Sequence, residues 1–241
     1  KAITLNHSLS AQGCRGGYCY KSEKDGKYYS KYGLGLAFIF TPFVLLGKTV
    51  SLLTNLPQDR LINFFISFYN IFFGAGACAV MFYIIKLFGN SDRVSLIMAL
   101  CLGLGTFAWR YSVWDFSEAT QMFFLLVSVY GALKNSIKSL GWGALSFCCL
   151  LWLKASYLAY LPIFLLYIFL KNRPNPKNAF KYLSLFFFIA LLGFIFIVLL
   201  NYMRFGKIFE FGYGLEADMF YLSGIRHNWP KLLFWLDKGM F

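Results

Sequence analysis

The chain has 241 residues, of which 59% are hydrophobic, 21% aromatic and only 14% charged; its formal net charge is +13 and its mean hydropathy is +0.60. Such a composition excludes a soluble domain of this length. It also argues against nucleic acid as a partner despite the charge, because no soluble domain exists to present it.

The chain opens on Lys1 rather than Met, and its first residues lack the basic, apolar and small-residue regions of a signal peptide, so it reads as an internal piece of a longer protein. Up to Tyr32 it is basic: Lys1, Arg15, Lys21, Lys24, Lys27 and Lys31 oppose only Glu23 and Asp25. Anionic headgroups or a phosphate-bearing substrate would be attracted to such a tract. Cys14 and Cys19 flank Arg15–Tyr18 there and either form a local disulfide in an oxidising compartment or stay free.

The next stretch, Gly33 to Leu53, is apolar but carries Pro42 in its middle, Lys48 near its end and glycines at 33, 35 and 47. It is expected to be a re-entrant or interfacial helix rather than a span. Six uncharged runs follow: Leu61–Ile85, Val94–Trp109, Ala119–Leu133, Ser139–Leu153, Ala155–Leu170 and Tyr182–Met203. A span needs about 17 to 25 residues, so the first and last qualify outright, and the shorter middle runs bring their terminal charges close to headgroup level. The fold class expected is an all-α polytopic membrane protein with about five transmembrane helices plus one re-entrant or interfacial helix. Residues 1–60 form an outer loop with that helix, 61–203 the bundle, and 204–241 an outer loop leading to a further membrane-proximal segment. Cys78, Cys101, Cys148 and Cys149 are expected to be small packing residues within the runs, and Phe186, Phe187 and Phe188 to face lipid.

Orientation follows from the lysines and arginines, since short loops rich in them stay cytoplasmic. The loop with Lys171, Arg173, Lys177 and Lys181 contains no acidic residue and is placed inside. Counting backwards puts Lys134–Lys138 and Lys86–Arg93 inside, and Arg110–Glu118, Lys154 and everything after Arg204 outside. Only Asp92 of the ten acidic residues is then left on the inner side.

Trp109 to Glu118 sets Arg110, Asp115 and Glu118 in a short outer turn between two apolar runs. Charges at that depth cost several kcal/mol unless paired or wetted, which points to a substrate path or a site. Plainer readings stand beside this one. Arg110 and Arg204 serve equally as snorkelling helix-end anchors, Trp109 and Trp114 as belt aromatics, and Asp115 as an N-cap with Glu118 completing a capping box. His227 reads as a loop residue, and neither of the two histidines has metal-ligand spacing to the cysteines. Four outward pieces converge on one face: Lys27–Gly33, the Trp109–Glu118 tract, Lys154, and Asn201–Gly206 with Glu210–Tyr213. Three supply cations suited to a lipid-linked phosphate, and the carboxylates suit a hydroxyl acceptor or a divalent metal ion.

These pieces resemble the GT-C-type integral membrane glycosyltransferases, which use polyprenyl-phosphate sugars as donors. Gly26-Lys27-Tyr28-Tyr29-Ser30-Lys31-Tyr32-Gly33 is similar to the end of their first outer loop, with Tyr32-Gly33-Leu34 where the common form has Pro-Pro-Gly. Trp114–Glu118 resembles their Phe-Ser-Glu tract. Arg204-Phe205-Gly206 with Glu210–Tyr213 resembles a late Arg-Phe-Gly-Ser-Pro then Gly-Tyr stretch, and Asp237–Phe241 a Pro-Gly-Lys-Gly-Leu-Phe stretch. The resemblance implies inverting transfer, in which a carboxylate deprotonates an acceptor that attacks the anomeric carbon and displaces the lipid phosphate. It assigns the donor phosphate to Arg204, Lys154 and Lys31, the acceptor or a metal to Asp115 and Glu118, and sugar or lipid contacts to Tyr28, Tyr29, Trp114 and Tyr213. Two features depart from the family. No acidic residue precedes Glu23, so the principal catalytic carboxylate is expected upstream of Lys1 or is lacking, and Lys154 stands where an Arg-Pro pair is common.

The partners implied are a polyprenyl-phosphate-linked sugar, membrane lipids and other membrane proteins, in a bacterial inner membrane with the site facing outward. The alternative is a transporter or a noncatalytic subunit of a membrane complex. A transporter would bury charge in mid-helix or break helices at mid-membrane, whereas here charge gathers at outer ends and Pro162 alone interrupts a run. Cysteines introduced as Ser30→Cys and Asn55→Cys are expected to label from the same side of the membrane; labelling from opposite sides excludes the re-entrant reading of Gly33 to Leu53.

Overall fold

The computed structural model describes residues 19–22, 24–30, 33–114 and 117–208. The chain divides into two compact units: the described part of one is 33–198, and the other combines 9–32 with 199–241.

The first unit is entirely helical among its described residues. Helix α1 (Gly35–Thr54) and helix α2 (Gln58–Ser67) form a hairpin. Asn55 ends α1 in the left-handed conformation with its N–H on the Ser51 carbonyl, the Ser51 hydroxyl donates to Leu56 O at 2.9 Å, and Pro57 blocks continuation. Pro42 does not interrupt α1, whose 20 residues extend about 30 Å. The segment expected to be a re-entrant or interfacial helix is an unbroken helix, long and apolar enough to cross a membrane. The return is made by α2: Val44 and Ile62 are fully buried, and Phe40 meets Tyr69 edge-on at 4.7 Å.

The uncharged run Leu61–Ile85 is split between α2 and helix α3 (Tyr69–Leu87) by one residue, Phe68, whose N–H reaches back to Phe65 O as well as Ile66 O. The next run is also split. Helix α4 (Asp92–Gly105) starts on the Ser91 hydroxyl and stops at Thr106, whose hydroxyl donates to Leu102 O and accepts from the Ala108 N–H. That second bond opens the short helix α5 (Ala108–Ser112). Helix α6 (Glu118–Lys134) runs parallel to α3, with Phe73 against Phe123 and Phe124 and Tyr83 against Tyr130.

Helix α7 (Ile137–Leu153) folds back on α6 from a Ser136–Ser139 capping box. The two cross at glycines: a Cβ on Gly131 would lie 2.4 Å from Ser139 O and 2.9 Å from Gly143 Cα. Small residues at such crossings let backbones meet where lipid supplies no hydrophobic drive. A 3-10 helix (Ala155–Tyr160) leads into helix α8 (Leu161–Asn172), and Pro162 lies in its first turn, where a missing N–H costs nothing. Pro162 thus starts a helix rather than interrupting one. The last helix, α9 (Pro176–Phe205), has 30 residues.

Phe186 corrects one expectation. It is fully buried, stacked on Phe164 at 5.4 Å and 18° and packed on Phe147 at 5.7 Å, while Phe187 and Phe188 are exposed. Three consecutive helical residues sweep about 200° around the axis, so they cannot share a lipid-facing side.

Four helical stretches are long and apolar enough to cross a membrane: Gly35–Thr54, Gln58–Leu87, Ala155–Asn172 and Pro176–Phe205, with the shorter apolar Ile137–Leu153 beside them. The chain is an all-α polytopic membrane protein, as its composition implies.

The second unit contains a small hairpin and the end of α9. Strand β1 (Cys19–Lys21) pairs antiparallel with strand β2 (Tyr28–Ser30), with Tyr20 opposite Tyr29. Ser22 and Lys27 close the turn at 2.7 Å, and Gly26 takes φ 68 within it. Gly206 ends α9 in the same left-handed region, at φ 71, with its N–H on Tyr202 O.

Phe186→Ala is expected to lower stability by on the order of 2 kcal/mol, since the cavity term persists where lipid removes much of the transfer term. Phe188→Ala is expected to change little. Thermal unfolding of both variants in the same detergent checks the difference, and equal losses would place Phe186 on the lipid face.

Candidate functional site

Arg204 is 2% exposed at the last turn of α9. Its Nη2 donates to the Ser30 carbonyl, and its guanidinium lies 4.6 Å from the Phe205 ring centroid and 6.0 Å from that of Tyr29. Tyr29 and Phe205 meet edge-on at 5.9 Å. A snorkelling arginine keeps its head in water, so the anchor reading of Arg204 does not hold. Among the described residues Arg204 has no carboxylate partner, and neither its Nε nor Asn201 Nδ2 has a hydrogen-bond partner. Asn201 is 4% exposed and three residues earlier, on the same side of α9. Two buried donors and a charge with no described carboxylate partner suit an anion, because leaving them unmatched costs several kcal/mol.

The hairpin shapes this place from the other side of the sequence. Tyr29 is buried, and its hydroxyl donates to Asp25 Oδ2 at 2.7 Å. Burial and then that bond push the phenol up to about 12, against the opposing pull of the Arg204 charge. The same bond, foremost, holds the exposed Asp25 carboxyl below its usual range, helped by the Lys27 N–H at 3.1 Å. Tyr28 alternates to the opposite face of β2 and is 50% exposed, so it does not join Arg204. Lys24 instead lies 5.0 Å over the Tyr202 ring and donates to the Tyr202 carbonyl. Lys31, Tyr213 and Asp115 lie outside the described residues.

The remaining sequence-predicted residues belong to the first unit, around the start of α6 and the end of α7. Trp114 is stacked under Arg110 at 4.5 Å. Its carbonyl accepts from Asn70 Nδ2, and Asn70 Oδ1 accepts from Thr120 Oγ1 at 3.1 Å. Gln121 Nε2 donates to Ser117 Oγ at 2.6 Å, and Gln121 Oε1 accepts from Tyr157 at 3.0 Å. Glu118 is exposed at the first position of α6, where the positive end of the helix dipole favours it. The cap position of α6 is Ser117, and its hydroxyl serves Gln121 rather than the backbone; the expected Asp115 cap lies outside the described residues. Lys154 is exposed between α7 and the 3-10 helix, its N–H on Leu150 O and its carbonyl accepting from Tyr157.

Asn70, Thr120, Gln121 and Tyr157 were not singled out in the sequence, and Asn201 entered only as the first residue of the outward Asn201–Gly206 piece. Their signal is slight: isolated amides and hydroxyls, Asn70 inside an uncharged run and the others near the ends of runs, which look like ordinary helix polarity. Among the described residues no three His, Cys, Asp or Glu side chains gather to hold a metal ion. Cys78, Cys101, Cys148 and Cys149 are free thiols; Cys148 is buried and donates to Ile189 O, whereas Cys101 is exposed. Cys14 lies outside the described residues, and Cys19 is placed by its backbone in β1.

The Tyr29–Asp25 bond generates a pH test. Asp25, with its folded pKa lowered, contributes stability present above about 3.8 and lost as pH falls through the folded value. Tyr29, with its folded pKa raised, contributes stability present below about 10 and lost as pH rises through about 12. Asp25→Asn is expected to lower the Tyr29 titration, read by ultraviolet difference absorbance; an unmoved titration would mean the bond is not formed.

Set against known proteins, the chain matches no family model, no curated protein and no solved structure.

Proposed function

We propose that this chain is the membrane part of a glycosyltransferase that moves a sugar from a polyprenyl-phosphate donor to an acceptor on the non-cytoplasmic face. The observation that carries the reading is the buried Arg204 guanidinium, held by the Ser30 carbonyl and two aromatic rings, with its Nε and the nearby Asn201 amide unpartnered among the described residues. A phosphate oxygen complements that arrangement, and a membrane protein is where such a phosphate arrives attached to an apolar tail.

The chemistry follows from charge development. When the anomeric carbon parts from the donor, negative charge grows on the lipid phosphate, and donors already aimed at it need no reorganisation. Arg204 is such a donor, and Asn201 adds a neutral one beside it. Tyr29 walls the same place with an aromatic face, which suits a sugar ring or an isoprenoid unit. Lys154 and Lys31 are further donor-phosphate candidates, and Tyr28, Trp114 and Tyr213 further contact candidates. The acceptor must lose a proton to a carboxylate within hydrogen-bond reach. The resemblance to GT-C glycosyltransferases puts that principal carboxylate before Lys1, with Asp115 and Glu118 orienting the acceptor. The same resemblance supports outward orientation in a bacterial inner membrane.

The test uses the full-length protein that contains this chain, reconstituted in liposomes with a lipid-linked sugar donor. Arg204→Ala is expected to cut transfer by about a hundredfold, the size of losing one preorganised donor to a transition-state charge. Asp115→Ala is expected to reduce transfer by weakening acceptor placement. Unchanged transfer in both variants would remove this site and favour a noncatalytic subunit.

A further inference from the structure

At the C-terminal ends of α6 and α8, two helix termini are clasped together. Asn135 ends α6 in the left-handed conformation at φ 55, and its Nδ2 donates to Asn172 Oδ1 at 2.9 Å. Asn172 returns the bond to Asn135 Oδ1 at 3.0 Å and also donates to Ile168 O at 2.8 Å. Asn172 is 8% exposed, so this reciprocal amide pair is a protected fixture. It sets Lys134 and Lys171, the residues just before each asparagine, at one edge.

Each lysine is held in the same way. Lys134 Nζ donates to the Tyr130 hydroxyl at 3.2 Å and lies 5.5 Å from that ring; Lys171 Nζ donates to the Tyr167 hydroxyl at 3.3 Å and lies 5.6 Å from its ring. Lys171 also caps α6 through the Leu133 carbonyl. An ammonium has three N–H donors, so one on Lys171 and two on Lys134 are uncommitted. Neither lysine has a carboxylate partner among the described residues, and the sequence has no acidic residue between Glu118 and Glu210.

Leading away from this edge is an apolar groove of about 310 Å³ between α6 and α8, with Leu125, Val129, Leu133, Ile163, Phe164 and Tyr167 in its walls. Leu133 and Tyr167 are the groove residues nearest the lysines in sequence, so the cations stand at one end of it. We infer that this groove binds one acyl chain of an anionic phospholipid, whose phosphate sits on Lys134 and Lys171. The charge and the apolar path match the two halves of such a lipid. The cations in and beside the two connecting loops, Lys138 in the first turn of α7, Arg173 after α8, and Lys177 and Lys181 in the first turns of α9, are accounted for by topology alone. Topology does not account for two lysines each fixed over a tyrosine at the mouth of a groove. The inference uses none of the residues around Arg204 and stands whether or not the chain transfers sugar.

The test is native mass spectrometry of the full-length protein titrated with phosphatidylglycerol or phosphatidylcholine. Phosphatidylglycerol is expected to bind more tightly, and Lys134→Gln with Lys171→Gln to reduce its affinity by about 25-fold, at about fivefold per lysine, while phosphatidylcholine binding stays as it was. Lys138→Gln with Lys177→Gln is expected to leave the preference intact. Ile163→Trp, which keeps both lysines and fills an exposed part of the groove, is expected to weaken phosphatidylglycerol binding and tests the site if the lysine variants fail to fold. Equal binding of the two lipids, a preference that survives loss of both lysines, or an equal loss from the loop pair overturns the inference.

Discussion

Everything in this fold follows from the need to pair each backbone N–H and C=O without help from water. In a bilayer an open backbone group costs several kcal/mol, so the apolar runs must be helices and the helices must meet through surfaces that add no unpaired polar atoms. Contact is therefore made by small side chains and by hydroxyls that return their bonds to carbonyls. Gly131 and Gly143 bring α6 and α7 within backbone distance. Around that crossing, Ser128 and Ser146 both donate to the Phe124 carbonyl, at 2.8 and 2.9 Å, one within α6 and one across to it from α7. Trp152 does the same between α7 and α9, its indole N–H on Gly193 O at 3.1 Å. Ser146 and Trp152 thus join two helices, and Ser128 returns its bond within its own, none of them leaving its donor open.

The same constraint drives the more polar side chains to the helix ends, and the two ends of α6 use them differently. At its start, Asn70, Thr120, Gln121 and Tyr157 form bonds that reach from α3 and the 3-10 helix to the Trp114 carbonyl and the Ser117 hydroxyl. Those bonds hold irregular backbone, and Trp114 and Glu118, in place. At its finish, Asn135 and Asn172 satisfy each other and leave the flanking lysines at the edge. One end is thus a network that positions a turn; the other is a clasp that positions charge. Both are side-chain answers to the unpaired groups every helix terminus presents.

The ends of the helices lie outside the uncharged runs, at Ser136 before α7, Asn135 after α6 and Pro176 at the head of α9. The helices themselves were legible in the sequence as uncharged runs ended by charge. The breaks at Phe68 and Thr106 were not, because neither residue is a helix breaker by type. Thr106 is set by a hydroxyl that could as well have bonded within a continuous helix. Phe186 was misread because composition reports how apolar a segment is, not which of its residues finds a cavity among Phe147 and Phe164. The candidate site was legible only as a set of charges at one end of the chain's helices. That Arg204 is buried depends on a hairpin more than 170 residues away in sequence, and no local pattern encodes that meeting.

Arg204 also shows why a buried cation is tolerable at this position and not elsewhere in α9. It sits in the last turn, where the carbonyls at the negative end of the helix dipole attract a cation. The Ser30 carbonyl and the faces of Tyr29 and Phe205 supply further partial negative charge. These are dipoles and quadrupoles rather than a carboxylate, so they reduce the cost of burial without neutralising the charge. A carboxylate in their place would have made a closed ion pair with little affinity left for a third group. The Asp25 carboxylate accepts instead from the Tyr29 hydroxyl and the Lys27 N–H. That division of partners fixes the Tyr29 ring beside the guanidinium and leaves Arg204 with no carboxylate partner among the described residues, an arrangement that suits an anion.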